Sequence, residues 1–140
     1  MIISKTPLRI SFVGGGTDIG NYYKSNGGCV ISTAIDKYIY ITINKRFDDT
    51  IRASYSKTET VDDVNKINHD IIRETMKLTG ITKGVEITSI ADVPSLGTGL
   101  GSSSAFTIGL LNALYAFKGQ HSSAKQLAEE ACKIEIDILK

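Results

Sequence analysis

Ser102 to Phe117, SSSAFTIGLLNALYAF, constrains the fold of this chain more than any other stretch. As a helix it is apolar nearly all round, so it has no face to offer water and must be buried. Gly119 ends it. A β-branched run, Val85 to Ile90, precedes it, and the two are joined by Asp92-Val93-Pro94-Ser95-Leu96-Gly97-Thr98-Gly99-Leu100-Gly101. Beyond it, Ser123 with Gln126 three positions on predicts a capping box. Leu127, Ala131, Ile134 and Ile138 then make the apolar stripe of a last helix. No Gly, Asn or Pro stops that helix before Lys140, so the chain is expected to be cut at or inside it.

The rest must cover the buried helix. Asp62 to Leu78 carries Val64, Ile67, Ile71, Ile72 and Met76 at helical spacing, with Gly80 as a stop. The first half reads as strands: Ile2 to Thr6, Leu8 to Val13, Cys29 to Ile35, Tyr38 to Asn44 and Ile51 to Tyr55. Cys29–Ile35 and Tyr38–Asn44 are expected to pair as a hairpin about Asp36-Lys37, with Ile39, Ile41 and Ile43 on its buried side. A short helix is expected at about Asp18 to Ser25, before the turn Asn26-Gly27-Gly28. Tyr22 and Tyr23 are read as core residues or as lining of a ligand pocket. The fold class is α+β, a mixed sheet packed against helices in one unit.

Composition bears on partners. Lys plus Arg against Asp plus Glu is 16 to 15, a net charge of +1 in 140 residues. That balance makes no electrostatic case for nucleic acid or an anionic membrane. No apolar run approaches the ~20 residues that span a bilayer, and Met1-Ile2-Ile3-Ser4-Lys5 does not read as a signal peptide. Cys29 and Cys132 are far apart and near no His or Cys cluster. A reduced cytoplasmic protein, with neither disulfide nor zinc, is expected.

Gly97-Thr98-Gly99-Leu100-Gly101-Ser102-Ser103-Ser104 lies where a strand feeds an apolar helix. Such a helix start presents unpaired N–H groups and a partial positive charge, and glycines let the backbone approach a phosphate without Cβ clashes. It is not a Walker A loop, which needs a Lys after the last Gly. Nor is it the G-x-G-x-x-G of a dinucleotide site or a G-x-S-x-G nucleophile elbow. The plain alternative is a turn with serines capping a helix. Near the amino terminus, Arg9-Ile-Ser-Phe-Val-Gly14-Gly15-Gly16-Thr17-Asp18 sets a guanidinium before a triglycine turn and a carboxylate after it. Arg9 offers a fork for phosphate, and Thr17 and Asp18 offer hydrogen bonds to sugar hydroxyls. The plain alternative there is a structural turn with a surface ion pair. His69 and His121 are read as surface residues, and Glu135, beside Asp137, as an exposed helix charge.

Pro94 with Gly99-Leu100-Gly101-Ser102-Ser103-Ser104-Ala105 resembles the second signature of the GHMP kinases, although Pro94 stands one residue further from Gly99 than is usual there. Arg9 followed by Thr17 and Asp18 is similar to the first signature, with Gly14-Gly15-Gly16 where galactokinases carry Gly-Glu-His. Pro7 to Asp18 looks most like the branch that phosphorylates D-glycero-D-manno-heptose 7-phosphate at its anomeric hydroxyl, en route to nucleotide-activated heptose for surface glycans. The resemblance spans the whole chain but only the amino-terminal part of such kinases. It implies a left-handed βαβ unit and ATP-dependent phosphoryl transfer to a sugar phosphate. The Gly97–Ser104 loop would hold the ATP phosphates, Arg9 would act near the transferring phosphate, and Gly15, Gly16, Thr17 and Asp18 would bind the sugar. Mg²⁺ would be held by Ser103 and Glu135, with Ser102 as the alternative hydroxyl. The family's catalytic Asp would fall beyond Lys140, so the chain alone is expected to be inactive. Two other readings stay open, another sugar kinase of the family (L-fucose kinase-like) and a non-catalytic nucleotide-binding fragment.

Overall fold

In the computed structural model, which describes residues 1–94 and 99–139, the long apolar helix lies against one face of a five-stranded sheet. The strands are β1 (Ile2–Val13), β2 (Ile31–Lys45), β3 (Ile51–Ser54), β4 (Thr58–Val61) and β5 (Val85–Ala91), in the order β1-β2-β5-β3-β4. All neighbours are antiparallel except β3 and β5, which run parallel and are joined through β4 and a helical segment. The helices are α1 (Gly20–Asn26), α2 (Asp70–Thr79), α3 (Ser102–Phe117) and α4 (Ala124–Cys132). α3 rests on β1 and β2 with α2 and α4 beside it. It is apolar all round because it meets two cores: Leu110, Ala113 and Leu114 pack with Ile41, Ile43 and Ile87, while Leu111 packs with Leu127, Ala131 and Ile134 of the carboxy-terminal helix.

The expected hairpin about Asp36-Lys37 is instead one continuous strand. β2 pairs along β1, Pro7 opposite Tyr38 and Arg9 opposite Ala34. β1 therefore advances two residues while β2 advances four, and Asp36-Lys37 fall in the bulge that results. The Asp92 carboxylate closes this end by accepting the Tyr38 N–H at 2.9 Å. The alternation itself holds, since Ile39, Ile41 and Ile43 are buried.

The helix expected over 62–78 is broken. A 3₁₀ turn (Val64–Lys66), capped by the Asp63 side chain on Asn65 N–H, stops at Ile67, and α2 begins only at Asp70. The break has a local cause: the Glu59 carboxylate accepts the Asn68 N–H at 2.9 Å and the Asn68 side-chain amide at 2.9 Å. It also accepts the His69 N–H at 3.4 Å. A continuous helix would need those two backbone donors for its own ladder. Gly80 ends α2 in the left-handed region, φ 72° and ψ 16°, as expected.

Ser123 caps α4, its hydroxyl accepting the Gln126 N–H at 3.2 Å, but the Gln126 side chain turns to Glu130 instead of completing the box. After Cys132 the helix widens into a π turn (Lys133–Ile138), with Leu139 N–H bonding to Ile134 C=O. The wider turn rotates Ile138 out of the stripe: Ile134 is buried, whereas Ile136 and Ile138 are exposed. Tyr22 and Tyr23 are exposed as well, and α1 buries nothing, so they are not core residues. Both cysteines are free and exposed. Among the described residues no helix is long and apolar enough to cross a membrane.

Candidate functional site

β1 passes directly beneath the start of α3. The Arg9 backbone N–H donates to Leu100 C=O at 3.1 Å, and its guanidinium Nη1 donates to Gly99 C=O at 3.3 Å. Gly101, the residue before α3, sits at φ 70° and ψ 34°. A Cβ there would stand 3.1 Å from Arg9 Cζ and 3.2 Å from its Nε. The glycine thus serves two needs, a left-handed backbone and room for the guanidinium across the helix start. Arg9 and the glycine-serine loop, ninety residues apart, form one cationic corner. Gly97 and Thr98 of the expected loop lie outside the described residues.

The three serines point to different places. Ser102 and Ser103 line a cavity of about 230 Å³, walled also by Tyr55, His69, Ser89 and Phe106. Ser104 Oγ donates to Glu135 Oε2 at 3.3 Å, while the other Glu135 oxygen, Oε1, is buried with no partner among the described residues. The hydroxyl beside Glu135 is therefore that of Ser104, with Ser103 on the cavity side. Glu135 itself is half-buried, not an exposed helix charge. It reaches α3 from the π turn.

The triglycine turn is built by close approach. A Cβ on Gly14, at φ 92°, would lie 2.0 Å from Cys29 C=O, and one on Gly28 would lie 2.5 Å from Thr17 C=O. Thr17 Oγ1 pins the two segments, 2.8 Å from Gly14 C=O and 3.0 Å from Cys29 C=O, while accepting the Cys29 N–H at 3.0 Å. Its hydroxyl is mostly committed to the turn. Gly15 and Gly16 have open space where a Cβ would go. Asp18 is exposed, with no hydrogen-bond or ion-pair partner among the described residues.

His69 is not a surface residue. Its ring stacks on Phe106 (centroids 5.2 Å apart, 26° between planes) and meets the Tyr55 ring edge-on at 4.7 Å. Burial holds its pKa below the usual 6.5, against the opposing pull of Glu59 and Asp70, and its Nδ1 is buried with no partner among the described residues. Its place inside the helix expected over 62–78 hid it, and only the aromatic Tyr55 and Phe106 nearby in the fold signal its role. The unfolded chain binds a proton at His69 more readily than the folded one, so stability rises with pH through this window. Urea midpoints should accordingly fall between pH 7.5 and 5.5 as pH drops through the unfolded value near 6.5. His69→Phe, which keeps the stacking, should shrink that fall, and an unchanged pH dependence in the variant would refute the assignment.

A family model, the GHMP kinases N terminal domain, matches residues 65–140, more than half of the chain. The chain belongs to the GHMP kinase family. This GHMP kinase domain is 30% identical to a D-glycero-alpha-D-manno-heptose 7-phosphate kinase of Campylobacter jejuni, in a match covering 96% of the chain and 43% of the relative. A crystal structure of a putative sugar kinase from Campylobacter jejuni superimposes with a TM-score of 0.76 at 27% identity, over 98% of the chain and 45% of its own. For a D-glycero-D-manno-heptose 1-phosphate kinase from Bacteroides thetaiotaomicron the TM-score is 0.85 at 24% identity, over 99% and 49%. The GHMP kinase domain thus spans about half the length of these relatives.

Proposed function

We propose that this chain is the amino-terminal part of an ATP-dependent sugar-phosphate kinase acting at the anomeric hydroxyl of D-glycero-D-manno-heptose 7-phosphate. The observation that carries the reading is the corner where Arg9 crosses Gly99 to Gly101 at the start of α3, beside a cavity walled by aromatic rings. Unpaired N–H groups at a helix start attract phosphate, and Arg9 adds a full charge. The cavity is smaller than the roughly 300–1,000 Å³ of drug-sized pockets, which suits one planar base and not a whole nucleotide. The phosphates would run from Gly97–Ser104 toward Arg9, and the base would enter beside His69. Identity to the heptose 7-phosphate kinase supports the choice of sugar, for which the exposed, unpartnered Asp18 and the open Gly15-Gly16 turn are the binding candidates.

Mg²⁺ belongs to this reading, and the donors fit it. The orphaned Glu135 oxygen and the hydroxyl of Ser104 beside it are hard oxygen ligands, and Mg²⁺ takes its remaining partners from water and phosphates. When bound, the ion would neutralise phosphate charge; catalysis in such enzymes is chiefly positioning and electrostatic stabilisation. In this reading Arg9 steadies charge on the transferring phosphoryl group and Asp18 orients the sugar, with the base and the second domain supplied from outside the chain.

Calorimetric titration of the chain tests this. Mg·ATP should bind more tightly than Mg-free ATP, and Glu135→Gln should remove that difference while leaving Mg-free binding unchanged. Added to the ATP-loaded chain, heptose 7-phosphate should move the amide NMR signals of Gly15 to Asp18, and L-fucose should not. No nucleotide binding at all, or fucose acting in place of heptose 7-phosphate, would sink the proposal.

A further inference from the structure

Glu59 sits on β4, outside the cavity lining, yet it gathers the pieces that make one wall. Besides the Asn68 and His69 donors, its Oε1 accepts the Tyr55 hydroxyl at 3.1 Å. Tyr55 and His69 stand on opposite sides of β4 and the 3₁₀ turn, one following β3 and the other preceding α2. Their rings meet edge-on, and both residues bond to this one carboxylate. A carboxylate accepting several donors makes charge-assisted bonds, roughly twice as strong as neutral ones. Burial alone would raise the Glu59 carboxyl, but the donors from Asn68, Tyr55 and His69 outweigh it and hold it below the usual carboxylate range. It is therefore ionised at neutral pH. The Tyr55 hydroxyl, burial first and the Glu59 bond second, is pushed the other way and keeps its proton. On the cavity side the result is one packed wall of three rings, Tyr55 against His69 and His69 against Phe106.

We infer that Glu59 is a positioning residue for the base-binding cavity, setting the spacing of Tyr55 and His69 without touching the ligand. This rests on the reading above that the base of a nucleotide enters this cavity. It predicts a loss confined to the base, because the groups bonded to Glu59 share the cavity wall with Ser102 and Ser103 but, among the described residues, make no hydrogen bond to Arg9 or to Gly99–Ser104.

The test compares ATP with inorganic tripolyphosphate, which has phosphates and no base, by calorimetric titration of the chain. Wild type should prefer ATP. Glu59→Ala should cut that preference about tenfold or more, the scale of one lost charge-assisted hydrogen bond, with tripolyphosphate affinity unchanged. Tyr55→Phe, which loses one arm of the hub and no ring, should cut it by a smaller factor while circular dichroism stays native. A further readout separates positioning from general loosening. His69 and His121 are the two histidines of the chain, so their ring protons are readily assigned. Glu59→Gln should lower the titration midpoint of His69, from which it removes a favourable charge. Wild type binding ATP no better than tripolyphosphate would overturn the base-in-cavity reading and this inference with it. Wild type preferring ATP, with Glu59→Ala keeping the full preference, would overturn the inference alone. Should Glu59→Ala fail to fold, an ATP preference unchanged in Tyr55→Phe would overturn it equally.

Discussion

Gly101→Asp should abolish detectable nucleotide binding while leaving the fold close to intact. Two effects compete at this position, and their sizes decide the outcome. On the stability side, the residue stands at φ 70°, where an L side chain costs about 1–2 kcal/mol. Asp is among the residues that tolerate this region best, and as a helix cap it gains a few tenths of a kcal/mol over glycine. The net cost is about 1 kcal/mol, a small part of a typical domain's stability. On the binding side nothing cancels. The new Cβ would stand 3.1 Å from Arg9 Cζ, so the guanidinium must shift, and the carboxylate would then pair with it. The same charge would face the incoming phosphates. Between two unit charges 4 Å apart at an effective dielectric of 20, repulsion is about 4 kcal/mol, roughly a thousandfold in affinity.

Gly101→Ala supplies the contrast. It brings the strain and the crowding without the charge, so it should lose about 1 kcal/mol of stability and only a modest part of the affinity. Urea unfolding and calorimetric titration of the two variants separate backbone from electrostatics. A Gly101→Asp protein that binds Mg·ATP like wild type would show that the helix start does not hold the phosphates.

The same position shows how far the sequence could be read. That the Gly-Ser run opens a buried helix was legible from composition alone, because α3 has no polar face. That Arg9 crosses the run was not, since nothing local in either segment encodes the pairing of β1 under α3. Strand alternation correctly buried Ile39, Ile41 and Ile43, yet Asp36-Lys37 read as a turn because a bulge and a turn share polar residues. Helical periodicity over 62–78 was genuine, and Val64, Ile67, Ile72 and Met76 are all buried. It was overridden by one carboxylate, Glu59, from a strand too short to announce itself. Glu135 stood out only through the family resemblance. Its approach to Ser104 depends on a π turn, for which spacing of apolar residues has no signature, and the 3.6-residue stripe wrongly kept Ile138 inside.

Gly109→Val should destabilise the domain strongly, and it tests the packing that carries the loop. Gly109 is where the α3 backbone comes up against β1. A Cβ there would lie 2.7 Å from Thr6 Oγ1 and 3.4 Å from both Ile41 Cγ1 and Ser4 Oγ. The Ser4 hydroxyl, buried on β1, donates to Gly109 C=O at 2.8 Å. For Gly109→Ala, a gain of ~1 kcal/mol in helix propensity opposes the crowding, so the net loss should be small. Val adds two methyls where one carbon already collides, and its branching lowers the propensity gain. Overpacking of this kind costs ~1–3 kcal/mol. Lifting α3 off β1 also strands the Ser4 hydroxyl and the Gly109 carbonyl, buried and unpaired, at a further ~1–3 kcal/mol. The sum, about 2–6 kcal/mol, is a large share of the ~5–15 kcal/mol that holds a typical domain together. Urea midpoints for wild type, Gly109→Ala and Gly109→Val should fall in that order, with Ser4→Ala showing the hydrogen-bond part by itself. Because α3 is one rigid rod from Ser102 to Phe117, any Gly109→Val protein that still folds should carry its serines away from Arg9 and bind nucleotide more weakly. Wild-type stability in Gly109→Val would mean that α3 does not pack on β1 through this glycine, and the corner built by Arg9 and Gly101 would lose its foundation.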